Sequence, residues 1–78
     1  MAVRVVFLGR LRDVAGTESL DLPGPLDWPT LLAALPRGFA EHLGTMHVAC
    51  GGTVLADPTR LAAQDGDEVA LLPPVSGG

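Results

Sequence analysis

The sequence predicts one small α+β domain, with a mixed sheet of about five strands wrapped on a single main helix. Three observations lead there. The chain has 78 residues, about half of an average domain. Only one stretch carries a convincing helical apolar stripe, whereas several short runs alternate or are rich in β-branched residues. Gly and Pro, 10 and 7 of them, fall between these runs as turn punctuation.

Residues 2–8 open the chain as a strand. Val3, Val5 and Phe7 share one face, and Arg4, Val6 and Leu8 the other. Gly9 and Gly16 bracket a connection in which Leu11 to Ala15 form a helical turn. Thr17 to Leu22 follow as a second strand, with Leu20 and Leu22 inward, ended by Pro23-Gly24-Pro25. Asp27 is placed to N-cap the main helix, with Pro29 in the first turn where backbone donors are unpaired anyway. Trp28, Leu31, Leu32 and Leu35 make its apolar stripe at i, i+3, i+4 and i+7. Pro36 and Gly38 close it, and Phe39 and Leu43 are spaced for another helical turn before Gly44. Met46 to Cys50 and Thr53 to Ala56 read as a hairpin joined at Gly51-Gly52. Asp57-Pro58 and Asp65-Gly66-Asp67 are turns, and Glu68 to Leu72 is the last strand. One helix covers one sheet face, so the order β-β-α-β-β-β describes a β-grasp, the ubiquitin-like fold. The domain spans 1–72, and 73–78 form a flexible tail.

Composition excludes several functions. Leu, Val and Phe number 13, 8 and 2, too many for a disordered chain. Nine acidic residues against five basic ones give a net charge of −4, which argues against nucleic acid and anionic membranes as partners. All five basic residues are Arg. With no Lys, Schiff-base and Walker-type chemistry is impossible. No signal peptide or membrane-spanning run is visible, and a single Cys precludes an internal disulfide, so a cytoplasmic setting is expected.

The tail carries the chemistry. A carboxylate is a poor electrophile and must be activated, for example as an acyl-adenylate, before a nucleophile can attack it. Gly77-Gly78 presents a carboxylate with no Cβ nearby, slim enough for a narrow active site on another protein. Pro73-Pro74 fixes φ and stiffens the base of the arm. The run from Asp65-Gly66-Asp67-Glu68 through Leu72-Pro73-Pro74-Val75-Ser76-Gly77-Gly78 resembles the closing segment of the MoaD/ThiS family of sulfur carriers. It is most similar to the molybdopterin synthase small subunits of that family. Val3 to Leu8, followed by Arg12 and Gly16, resembles the family's first strand and loop. One departure is the third-strand hairpin, where the family often has Asn and this chain has Cys50-Gly51-Gly52; Gly supplies the positive φ that Asn tolerates.

The resemblance implies a non-catalytic carrier subunit of a transferase. An E1-like adenylating enzyme would activate Gly78 with ATP and Mg²⁺, and a persulfide donor would convert it to a thiocarboxylate. Pro74, Val75, Ser76, Gly77 and Gly78 would then enter the large subunit of molybdopterin synthase, in a heterotetramer. There the sulfur would be given to a cyclic pterin precursor to build the molybdopterin dithiolene. No catalytic side chain, permanent cofactor or metal is expected on this chain. A carrier for thiamin thiazole or another pathway, a ubiquitin-like modifier and a plain interaction module are the alternatives.

The remaining candidates favour structural roles. Cys50 has no His nearby in sequence and reads as a small hydrophobe. His42 and His47 lack partners at metal-ligand spacing. Asp65, Asp67 and Glu68 lack a calcium-loop framework and read as a charged turn that could still face a basic partner. The second sheet face is different. With Val3, Val5, Phe7, Val69 and Leu71 turned to the helix, Val6, Leu8, Val54, Ala70 and Leu72 are left as an apolar patch near the tail root, with Arg12 at its rim. Contiguous apolar patches mark interfaces, so this face is expected to bind both partners.

Overall fold

The computed structural model describes residues 2–35, 39 and 45–73. Strand β1 (Val3–Phe7) leads into helix α1 (Arg10–Ala15), which is closed by Gly16 in the left-handed conformation. Strand β2 (Ser19–Leu22) is followed by the two-residue β3 (Leu26–Asp27) and helix α2 (Trp28–Ala34). Then come β4 (His47–Cys50), β5 (Thr53–Val54), a 3-10 turn (Pro58–Arg60), β6 (Ala62–Ala63) and β7 (Glu68–Leu72).

Five strands form one mixed sheet in the order β2-β1-β7-β4-β5. β1 and β7, the first and last strands, are parallel neighbours, with Val5 opposite Val69 and Phe7 opposite Leu71. The other pairings in this sheet are antiparallel. The expected β-grasp arrangement is therefore present, and the alternation in β1 sorts its side chains as the sequence indicated. Val3, Val5, Phe7, Val69, Leu71 and Val48 are all buried on the helix side. Leu11, Leu26, Leu31, Phe39, Met46, Leu61 and Ala63 close over them. The Phe7 and Phe39 rings meet with centroids 5.4 Å apart, tilted by 50°. Each fully buried Leu, Val or Phe contributes about 1.5–3 kcal/mol by leaving water, so the core of this short chain rests on few side chains.

Local signals explain most element ends. The Asp27 carboxylate accepts the Thr30 N–H at 3.0 Å, capping α2 with Pro29 in its first turn. At the β4–β5 hairpin, Gly51 and Gly52 have φ of +60° and +86°, the paired positive values that tight hairpin turns require. The Gly-Gly there thus does the conformational work that was inferred for it.

Several details differ from expectation, among them β4, which starts at His47 rather than Met46, and α1, which starts at Arg10 rather than Leu11. β2 starts at Ser19 rather than Thr17, whose hydroxyl donates to the Ser19 carbonyl at 3.1 Å. β5 stops at Val54 rather than Ala56, because the chain turns toward Asp57. The Asp57-Pro58 turn is a 3-10 helix in which the Asp57 carboxylate accepts from the Thr59 N–H and hydroxyl. A second sheet, β3 paired with β6 through Leu26–Ala63 and Asp27–Ala62, was not foreseen; two-residue strands carry no alternation to read. The helical turn expected between Phe39 and Leu43 lies, beyond Phe39 itself, outside the described residues, as do His42 and residues 74–78.

Candidate functional site: the outer sheet face and the tail root

The face of the sheet turned away from the helices follows from the strand register, since residues in register share a face. Val6 of β1 stands opposite Ala70 of β7, Ala70 opposite Ala49 of β4, and Ala49 opposite Val54 of β5. This makes one apolar row across four strands. Val54 is 57% exposed, while Val6 and Ala70 are half-buried. Ala49 is 8% exposed and stands outside the contiguous buried cluster on the helix side.

Toward the tail, the next position on this face pairs Leu72 with His47. Leu72 is half-buried and His47 exposed. Leu8, directly after β1, is 39% exposed, and its N–H donates to the Leu71 carbonyl at 3.0 Å. The β1–β7 pairing thereby continues to the point where the tail departs. Arg12 is exposed on α1 and lies 3.6 Å from the Glu18 carboxylate. Five of the six residues expected on an outer patch thus share the exposed face or its tail-side end, and Arg12 sits on the adjoining helix. Ala49 and His47 were missed. The alternation of β4 could have assigned them, but only once β4 was known to lie beside β7.

The opposite end of this face is charged. Arg4 and Asp21 face each other at 3.7 Å, both well exposed, and Glu68 stands beside Arg4 in register. With Ala2, Gly66 and Asp67 they line a shallow depression of about 350 Å³. The acidic turn next to it is largely structural. The Asp65 carboxylate accepts the Gly24 N–H at 2.8 Å, and the Asp67 carboxylate accepts the Gln64 N–H at 2.9 Å.

Cys50 shares the core face with Val69 and is half-buried. Burial, and then the negative charge of Asp67, push its thiol pKa up, so it is held as the neutral thiol. No group of three metal-ligating side chains exists among the described residues. Among those residues no helix is long and apolar enough to cross a membrane.

The tail root is the sharpest geometric feature. Gly9 has φ +57° and ψ −137°, and a Cβ built there would lie 2.9 Å from Pro73 Cγ. Leu72, Pro73 and the outer face therefore converge where residues 74–78 begin. The ThiS family matches residues 5–78, from the first strand through Gly77 and Gly78. The chain belongs to the ThiS family. It is 32% identical to the molybdopterin synthase sulfur carrier subunit of Escherichia coli strain K12, over 97% of this chain and 99% of that protein. Its structure is similar to a chain in the protein–protein complex of subunits 1 and 2 of the molybdopterin-converting factor from Helicobacter pylori 26695. That match has a TM-score of 0.73 and 32% identity, and it covers both chains completely. Small archaeal modifier protein 1 from Haloferax volcanii is also similar, with a TM-score of 0.75 and 26% identity over the full length of both chains. The ubiquitin-like β-grasp is shared by these relatives of the chain.

Proposed function

We propose that this chain is the sulfur-carrier subunit of a molybdopterin synthase, with Gly78 as the atom-carrying end. The observation that carries the reading is the family match over residues 5–78, which takes in the Gly77-Gly78 pair. The full-length similarity to the Escherichia coli sulfur carrier subunit supports the molybdopterin branch, and the Helicobacter pylori complex supports a large-subunit partner. The geometry fits this role, because the described residues offer an apolar outer face next to the tail root.

In the proposed reaction an E1-like enzyme uses MgATP. The Gly78 carboxylate attacks the α-phosphorus, pyrophosphate leaves, and an acyl-adenylate results. The outer sulfur of a persulfide displaces AMP to give an acyl disulfide. A thiol then cleaves its S–S bond and leaves the thiocarboxylate. Residues 74–78 carry this group into the large subunit, where sulfur passes to the pterin precursor. The row Val6, Ala70, Ala49 and Val54, with Leu72 and Leu8, docks on each partner in turn, in the cytoplasm.

The test is the intact mass of the chain after incubation with its activating enzyme, MgATP and a persulfide donor. The expected product has one oxygen replaced by sulfur, and a chain lacking Gly78 gives none. A second reading, a protein-conjugating modifier, is favoured by the similarity to small archaeal modifier protein 1. The same experiment separates the two when a lysine-bearing acceptor protein is added, because a modifier forms an amide conjugate and a pure carrier does not. An unmodified mass, with the enzyme active on another carrier, overturns both.

A further inference from the structure

We propose that Gly9 is a positioning residue for the C-terminal tail: it is a Cβ-free seat that fixes the Pro73 ring and hence the root from which residues 74–78 depart. The inference rests on the carrier reading for its consequence in turnover, but the seat itself is a property of the free chain.

The seat is built from both sides. The Leu8 N–H donates to the Leu71 carbonyl at 3.0 Å, which ties the end of β1 to the end of β7. The Leu8 carbonyl accepts the Leu11 N–H, and the Gly9 carbonyl accepts the Arg12 N–H, both at 3.2 Å, which ties the same two residues to the first turn of α1. Leu11 is fully buried in the core and anchors that turn. Gly9 therefore sits between two fixed elements. Its positive φ combined with ψ −137° is open to glycine and strained for any residue with a Cβ.

Pro73 is half-buried on this seat. A Cβ at residue 9 would stand 2.9 Å from its Cγ and 3.5 Å from its Cδ, whereas carbon atoms pack at about 3.5–4.0 Å. The pyrrolidine ring is closed onto its own backbone nitrogen, so Cγ moves only through ring pucker and cannot swing away as an open side chain would. Relief beyond that comes from a shift of the backbone at the seat. A shift at the root moves the point from which the arm starts, and the arm has to place one terminal atom in a partner's active site, where a misplacement of about 1 Å can lower a rate a hundredfold.

The test uses the full chain, its activating enzyme and the large subunit. Gly9→Ala is expected to lower the single-turnover rate of thiocarboxylate formation by about tenfold or more, with partner Kd changed far less. The double variant Gly9→Ala/Pro73→Ala, which removes Cγ and Cδ, is expected to return to the rate of Pro73→Ala alone. A folded Gly9→Ala chain with the wild-type rate overturns the proposal, as does a loss that Pro73→Ala does not relieve. Should Gly9→Ala fail to fold, Pro73→Ala leaves the seat intact and empties it. Backbone order parameters of residues 75–78 in the free chain must then differ from wild type, and identical values overturn the proposal. That NMR comparison needs no partner. A wild-type chain that forms no thiocarboxylate therefore counts against the carrier reading and leaves the seat to be judged on order parameters.

Discussion

The Gly24 N–H donates to the Asp65 carboxylate at 2.8 Å across 41 positions of sequence, which clamps the Pro23–Pro25 loop onto the acidic turn before the last strand. The clamp leaves no room for a side chain on the glycine. A Cβ at Gly24 would lie 2.5 Å from Asp65 Oδ1 and 2.8 Å from the Asp65 backbone nitrogen. Asp65→Ala is expected to destabilise the fold by about 1 kcal/mol, the usual worth of one such bond. Gly24→Ala is expected to cost about 1–3 kcal/mol through overpacking. Urea denaturation of the two variants measures both, and equal midpoints for Gly24→Ala and wild type would show that the loop yields freely.

The outer face gives a second expectation. Leu72→Asp and Val54→Asp place a charge on the exposed apolar row, where neither side chain belongs to the core. Both chains should keep wild-type thermal stability within a few degrees. Binding to the large subunit should weaken about tenfold or more, because burying an unpaired carboxylate in an interface is unfavourable. Arg60→Ala, on the 3-10 turn that packs with α2, is the control and should bind as wild type. Titration calorimetry with each variant decides, and unaltered affinity for Leu72→Asp removes this face from the interface.

Two capping carboxylates set an acid limit on stability. The Thr30 hydroxyl and then the Thr30 backbone N–H hold the Asp27 carboxyl below its ordinary range. The Thr59 hydroxyl and then the Thr59 N–H do the same for Asp57. A carboxyl whose folded-state pKa is depressed adds stability that is complete above its unfolded value of about 4 and is lost as pH falls through the folded value. Asp27→Asn and Asp57→Asn should therefore flatten the fall in melting temperature below about pH 4 relative to wild type. Near neutral pH the Asn variants retain a capping oxygen, so the difference there should be small. A wild-type acid profile in both variants would show that other carboxyls govern it.

Cys50 should behave as packing rather than as a nucleophile. Its raised pKa and half-buried place on the core side of β4 predict slow alkylation by iodoacetamide at pH 7.5, with the rate rising on unfolding. Cys50→Ala should form thiocarboxylate at the wild-type rate. A loss of sulfur loading in a stably folded Cys50→Ala chain would place the thiol in the reaction after all.

Much of this protein is determined by the sequence without tertiary information. Period-two alternation fixed which side of β1 enters the core, because a strand's side chains have nowhere else to point. Asp27 and Pro29 marked the start of α2 through the chemistry of unpaired helix donors. Gly51-Gly52 marked the hairpin through positive φ. Contacts between distant segments had no such local signature. The β3–β6 pair, the Gly24–Asp65 clamp and the Gly9–Pro73 seat each join segments at least 35 positions apart, so neither partner looks unusual by itself. The outer row is an intermediate case. The alternation named Val6, Ala70 and Leu72 in advance, but only the order β1-β7-β4-β5 put Ala49 between Ala70 and Val54 and made separate aliphatic residues into one surface.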